Sequence, residues 1–168
     1  MKIINILILI GCSFAVHMSS QQKCDSDIIY SQAFCKIAQD TINSKSHLYV
    51  SDYIVDLDRF WYSDMLSDSI NRELVKSFRS RKQYKWEPNY YCTCLHSLFN
   101  KEVNNNFDKI IFFSRIEDNM LRADVLNYCK GSMDYDSLSL FGSGEAYLFI
   151  CDSALKIIKT YKIKINFN

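Results

Sequence analysis

From residue 109 onward the hydrophobic pattern of the chain takes a period of two, and this limits the fold more than any other feature. "KIIFFSRIE" and "MLRADVLNY" are β-rich runs separated by Asp118 and Asn119, residue types that suit a tight hairpin turn. "SLSLFGSGEAYLFIC" reads as another strand or pair of strands broken at Gly142 and Gly144, and "LKIIKTYKIKINF" follows as the last strand. There Ile157, Tyr161, Ile163, Ile165 and Phe167 share one parity and Lys162 and Lys164 the other, so one face is expected to be buried and one wet.

The first half has a different rhythm. "CDSDIIYSQAFCKIAQDTIN", residues 24 to 43, offers Asp25, Ser26 and Asp27 as N-caps, then Ile29, Ala33, Phe34, Ile37 and Ala38 at helical spacing. "SHLYVSDYIVDLDRFWY" predicts a strand from about Leu48 to Leu57, where Tyr, Val and Ile are concentrated. "SDSINRELVKSFRSRK" predicts a second helix, capped by Ser67 and Asp68, with Ile70, Leu74 and Phe78 on one face and its acid before its bases. With no repeat or linker and Pro88 the only proline, the pattern implies an α+β domain, its N-terminal helices packed on one face of a curved antiparallel meander. This element order resembles the cystatin-like and nuclear-transport-factor-like cone folds, in which a curved sheet wraps a long N-terminal helix. The resemblance implies a pocket at the sheet mouth.

The N-terminal stretch "MKIINILILIGCSFAVHMSSQQ" joins Lys2 to an apolar run and a polar exit, the pattern of a secretory signal peptide. The run is shorter than the ~20 residues of a spanning helix. Residues 1–20 are therefore expected to be a leader cleaved near Ser20, with residues 21–168 forming a single domain. "LIGC" resembles the lipobox of bacterial lipoproteins and gives the alternative, a lipid anchor at Cys12. However, Phe14, Ala15 and Val16 prolong the apolar run where a polar tether usually follows. Either route implies an extracytoplasmic address, secreted, periplasmic or lipid-anchored. Without Lys2, the 19 remaining bases match 19 acids, so no global field attracts nucleic acid or anionic membrane.

Without Cys12 the cysteines are Cys24, Cys35, Cys92, Cys94, Cys129 and Cys151, an even set that in an exported chain predicts disulfide bracing. "YYCTCLH" puts Cys92, Cys94 and His96 on alternate positions of an expected extended segment. One intervening residue makes a poor zinc chelate, so no metal is expected. An extended Cys-x-Cys holds its Cα atoms ~6.5 to 7 Å apart, at the limit of a direct disulfide. Cys24 and Cys35 would lie ~16 Å apart along a helix. The expected pairing is therefore of the helix cysteines with Cys92 and Cys94, and of Cys129 with Cys151.

The candidate ligand-binding residues are aromatic or sit in short motifs. Trp61 lies in "RFWY", and Trp86 and Tyr90 in "YKWEPNYY"; together they would form a sugar or partner platform. "FGSGEAY" resembles the Ser-Gly-x-x-Tyr element of bacterial C-type lysozyme inhibitors, with Ser143, Gly144 and Tyr147 at the matching positions. That likeness implies a projecting inhibitory loop. Arg72, Lys76 and Arg79 form a basic helix face that reads as a solvated surface. No Gly-x-Ser-x-Gly, His-Glu-x-x-His or phosphate loop occurs. The expected function is that of an exported, non-enzymatic domain binding an unidentified protein or small molecule without a cofactor. The alternatives are a cell-wall hydrolase inhibitor acting through Ser143 and Gly144, and a small hydrolase using His96 and a carboxylate.

Overall fold

The apolar runs beyond residue 109 form strands that find cover on both sides. The computed structural model describes residues 26–41, 46–57, 62, 72, 88–99, 106–128 and 131–167. Its elements are helix α1 (26–41), β1 (Leu48–Ile54), β2 (Tyr90–Tyr91), α2 (Thr93–Phe99), β3 (Lys109–Phe113), β4 (Met120–Asn127), α3 (Tyr135–Phe141), β5 (Ser143–Cys151) and β6 (Ile157–Asn166). The strands make one six-stranded mixed sheet in the order β2-β1-β3-β4-β5-β6, and the domain is α+β.

From β3 to β6 every pairing is antiparallel, as the period of two predicts. Asp118 and Asn119 both have positive φ (51° and 58°), the backbone that a type I′ hairpin turn requires. Glu117 and Met120 close that turn with reciprocal backbone hydrogen bonds of 3.0 and 2.8 Å. Side-chain parity then divides the core. Ile111, Phe113, Leu121, Ala123, Val125, Tyr147 and Phe149 pack under α1 with Ile29, Ala33 and Ile37, as the helical spacing predicts. Ile110, Phe112, Met120, Leu126, Ala146, Leu148 and Ile150 pack on the opposite face with Val55, Leu57, Tyr62 and Leu138. Strands buried on both faces read as nearly continuous apolar runs.

Polar contacts fix α1 on its face. The Tyr30 hydroxyl donates to Ser114 O (3.1 Å), while the Gln32 amide donates to Leu155 O (3.1 Å) and accepts from Ile157 N (3.2 Å). At β5, Gly144 permits a close approach, because a Cβ there would lie 2.1 Å from the Val125 carbonyl oxygen.

Several expectations are corrected. β1 ends at Ile54 and runs parallel to β3, so the sheet is not a pure meander; the intervening chain, with β2 and α2, makes the crossover that parallel pairing needs. Residues 135–141 are helical, because the Asp134 side chain accepts from Ser137 N (2.8 Å) and caps a helix whose Leu138 packs on the face opposite α1. Helices therefore lie on both faces. A register shift between Ile150 and Cys151 sends Ile157 to the α1 side, while Tyr161, Ile163 and Ile165 pack on the other. The helix expected over residues 67–82 lies outside the described residues apart from Arg72, which is helical and exposed.

On the face opposite α1, β4 presents Arg122 and Asp124, 2% and 0% exposed. Arg122 Nε and Nη2 donate to the two Asp124 carboxylate oxygens, each at 2.8 Å, and the Tyr135 hydroxyl donates to Asp124 Oδ2 at 2.8 Å. Burial acts against the guanidinium charge, but the adjacent carboxylate outweighs it and raises the Arg122 pKa. Removing one partner of such a buried pair is expected to cost about 3–5 kcal/mol, whereas replacing both with apolar groups is roughly neutral. Asp124→Asn should therefore lower the urea midpoint sharply, and Arg122→Met with Asp124→Leu should recover most of the loss.

Candidate functional site

Among the described residues both faces of the central strands are buried, and a group of exposed aromatic side chains lies at the edge where β2 pairs with β1 through Tyr53 opposite Tyr91. Tyr53, Tyr90 and Tyr91 are 51%, 41% and 48% exposed, high values for large apolar rings. The Tyr53 and Tyr91 rings meet edge-on at 5.9 Å, Tyr91 lies 6.1 Å from the His96 ring, and the Arg115 guanidinium sits 4.8 Å over Tyr90. Cys92 N donates to Asp52 O (2.7 Å), and His96 N donates to Cys92 O (3.3 Å), which opens α2 immediately after β2. The segment 92–96 is thus not extended. His96 projects from a helix, where its Nδ1 lies 3.2 Å from Asp52 Oδ2. With the proton on Nδ1 it donates to Asp52 and leaves Nε2 open.

The thiols are arranged differently from the expected framework. Cys35, Cys92, Cys94 and Cys151 are all unpaired, while Cys24 and Cys129 lie outside the described residues. Cys35 is exposed on α1, whereas Cys94 and Cys151 are buried among the apolar side chains beneath that helix, so the expected link from Cys35 to the 92–94 segment is not made. Burial, and then the nearby Asp27 carboxylate, push the Cys94 thiol well above the ordinary cysteine range. Among the described residues no group of three or more His, Cys, Asp and Glu is placed to hold a metal ion.

The Ser143–Gly144 segment is strand. Ser143 pairs with Asn166, and Gly144 sits between Leu126 and Ile165, so this stretch does not form the projecting loop that the inhibitor likeness implies. Tyr147 is buried and faces α1. Its hydroxyl donates to Glu145 Oε2 (3.1 Å), and lies 3.4 Å from Asp40 Oδ2. Lys162, opposite Tyr147 in the register, reaches Glu145 Oε1 (3.0 Å) and Asp40 Oδ2 (3.5 Å). The cluster ties the end of α1 to β5 and β6. Burial, offset in part by Lys162, leaves the Tyr147 pKa pushed up to about 12.

No family profile, curated protein or solved structure matches this chain. The site therefore rests on its own geometry. Trp61 and Trp86 lie outside the described residues, and of the expected aromatic platform the structure describes only Tyr90. It adds Tyr53, Tyr91, Asp52 and Arg115. Tyr91 was legible in the "YKWEPNYY" cluster, but Asp52 meets His96 across 44 residues of sequence, and no local pattern signals that.

The polar cluster on β5 predicts a pH dependence. Burial works to raise the Glu145 pKa, but Lys162 and the Tyr147 hydroxyl favour the carboxylate and leave it lowered. A depressed folded-state pKa contributes stability above the unfolded value, about 4.3 for Glu, and that contribution is lost as pH falls through the lower folded value. Urea midpoints measured from about pH 6 to pH 3 should fall less steeply for Glu145→Gln than for the native protein.

Proposed function

We propose that this chain is an exported binding domain that engages a protein partner through the edge formed by β1, β2 and α2. The observation that carries this reading is the exposed Tyr53–Tyr91 ring pair with His96 beside it, together with Tyr90 on the other face of the same short strand under the Arg115 guanidinium. Tyrosine and arginine dominate the residues that supply binding energy in protein interfaces, because they bury large area at low entropic cost and keep a polar end. Leu98, also on α2, is 39% exposed and adds apolar surface to the same short helix. The export half of the proposal draws support from the leader-like residues 1–20 and their Lys2-to-Val16 pattern.

The Asp52–His96 contact favours a second reading, a hydrolase in which Asp52 orients His96 as a general base. In that case His96→Ala should reduce hydrolysis of an activated ester by about 10²- to 10⁴-fold. An unchanged rate would reject it.

The binding reading is tested by site dependence. A partner co-purified with the native protein and then isolated should bind Tyr91→Ala at least about ten-fold more weakly, a loss of roughly 1.4 kcal/mol. Leu140→Ala, on α3, should bind as the native chain does. Equal affinities for the two variants, measured by calorimetry with circular dichroism showing intact folds, would move the interface elsewhere.

A further inference from the structure

Cys92 and Cys94 have a geometry that their spacing alone did not reveal. In an extended segment they would stand at the limit of disulfide reach, but here α2 begins between them. Cys92 O accepts from His96 N, so Cys92 is the residue that caps the helix, and Cys94 lies in its first turn. Helical rise and radius bring Cα atoms two residues apart to about 5.4 Å, well inside the disulfide range. Two cysteines both inside a helix would diverge at Cβ. Cys92 stands outside it, and it lies near enough to the Cys94 thiol to contribute to that thiol's raised pKa.

The two sulfurs also differ in access. Cys92 is half-buried at the margin of the core under α1, whereas Cys94 lies inside that core. The Asp27 carboxylate on α1 lies close enough to the Cys94 thiol to help raise its pKa, and Asp27 Oδ1 is buried with no hydrogen-bond partner. One accessible thiol, one buried thiol and a buried carboxylate oxygen beside the latter are the parts that a two-step thiol–disulfide exchange requires.

We propose that Cys92 and Cys94 form a reversible dithiol–disulfide couple that reduces small external disulfides, with Cys92 attacking, Cys94 resolving and Asp27 accepting the Cys94 proton. In the first step the Cys92 thiolate attacks one sulfur of the external disulfide. The new bond joins Cys92 to that sulfur, the external bond breaks, and the departing thiolate takes up the proton that Cys92 released. In the second step Cys94 gives its proton to Asp27 and attacks the Cys92 sulfur, expelling the remaining external thiolate, which takes up that proton as Asp27 releases it, directly or through water. Two cysteine thiols become one disulfide, and one external disulfide becomes two thiols. The link closes a very short loop, so it removes little entropy from the unfolded chain and is not a structural brace. This inference is independent of the partner-binding reading, since it requires no exposed tyrosine.

The test uses the full chain, reduced, desalted and exposed to oxidised glutathione, followed by trypsin and mass spectrometry. Residues 86–101 contain both cysteines and no internal Lys or Arg, so one peptide reports on the pair. The expected product is that peptide lighter by two hydrogens and free of glutathione. Cys94→Ser should accumulate a stable glutathione adduct on Cys92, whereas Cys92→Ser should be labelled at Cys94 at least about ten-fold more slowly. Asp27→Asn should slow the second step alone, so that the adduct on Cys92 persists longer than in the native chain. Equal labelling of the two serine variants, or Cys92 or Cys94 joined to any other cysteine, would overturn the proposal. An Asp27→Asn variant with native resolution rates would overturn the role of Asp27.

Discussion

Burial of β3, β4 and β5 on both faces is the constraint on which the rest of the structure depends. A polar group on such a strand cannot reach water and must be satisfied internally. Arg122 and Asp124 meet this requirement within one strand, two residues apart on the same face, and Tyr135 brings α3 over them with a third hydrogen bond. On the other face α1 uses Tyr30 and Gln32 to reach backbone groups at Ser114, Leu155 and Ile157, so the helix is fixed by direction as well as by apolar area. Nonspecific hydrophobic contact alone would leave that helix free to slide.

Among the described residues, burial of both faces of the central strands leaves exposed side chains at the margins. The two ends of the sheet serve different purposes. At β6 Lys159, Lys162 and Lys164 line a ten-residue outer strand, the kind of charged edge that discourages pairing with another chain. Lys162 turns that charge to further use by holding Glu145 and Asp40 together. At the opposite end β2 is only two residues long, and α2 follows it at once. That short helix carries Cys94, His96 and Leu98, and the residue before it is Cys92, so the surface proposed to bind a partner and the proposed thiol pair share one element while facing different surroundings.

Legibility in the sequence followed the range of the interaction. The α1 face, the hairpin at Asp118 and Asn119, and the buried and exposed positions through most of β6 are local patterns, and they read correctly. Residues 137–141 read as strand because Leu and Ser alternate there, yet one cap at Asp134 was enough to make them helical. "YYCTCLH" misled in the same way. Its alternation fits a strand, but Cys92 has its backbone tied to Asp52 on one side and to His96 on the other, and that contact with β1 starts a helix. The candidate site is legible only in part: the sequence pattern points to Tyr90 and His96, and Tyr91 lies in the same aromatic cluster. Asp52, Tyr53 and Arg115 were missed because their roles arise from strand pairing.

By itself the sequence determined the class of the fold, the meander from β3 to β6 and the residues of α1 that face the core, because periods of two and 3.6 are written into neighbouring residues. Only the tertiary structure decided that β1 runs parallel to β3, that Asp52 meets His96, and that Cys92 and Cys94 stand together rather than apart. Each of these depends on segments distant in sequence being brought to one place. The physical reason is that a local pattern specifies which face of an element is apolar, whereas the choice of neighbour is made by the packing of the whole core.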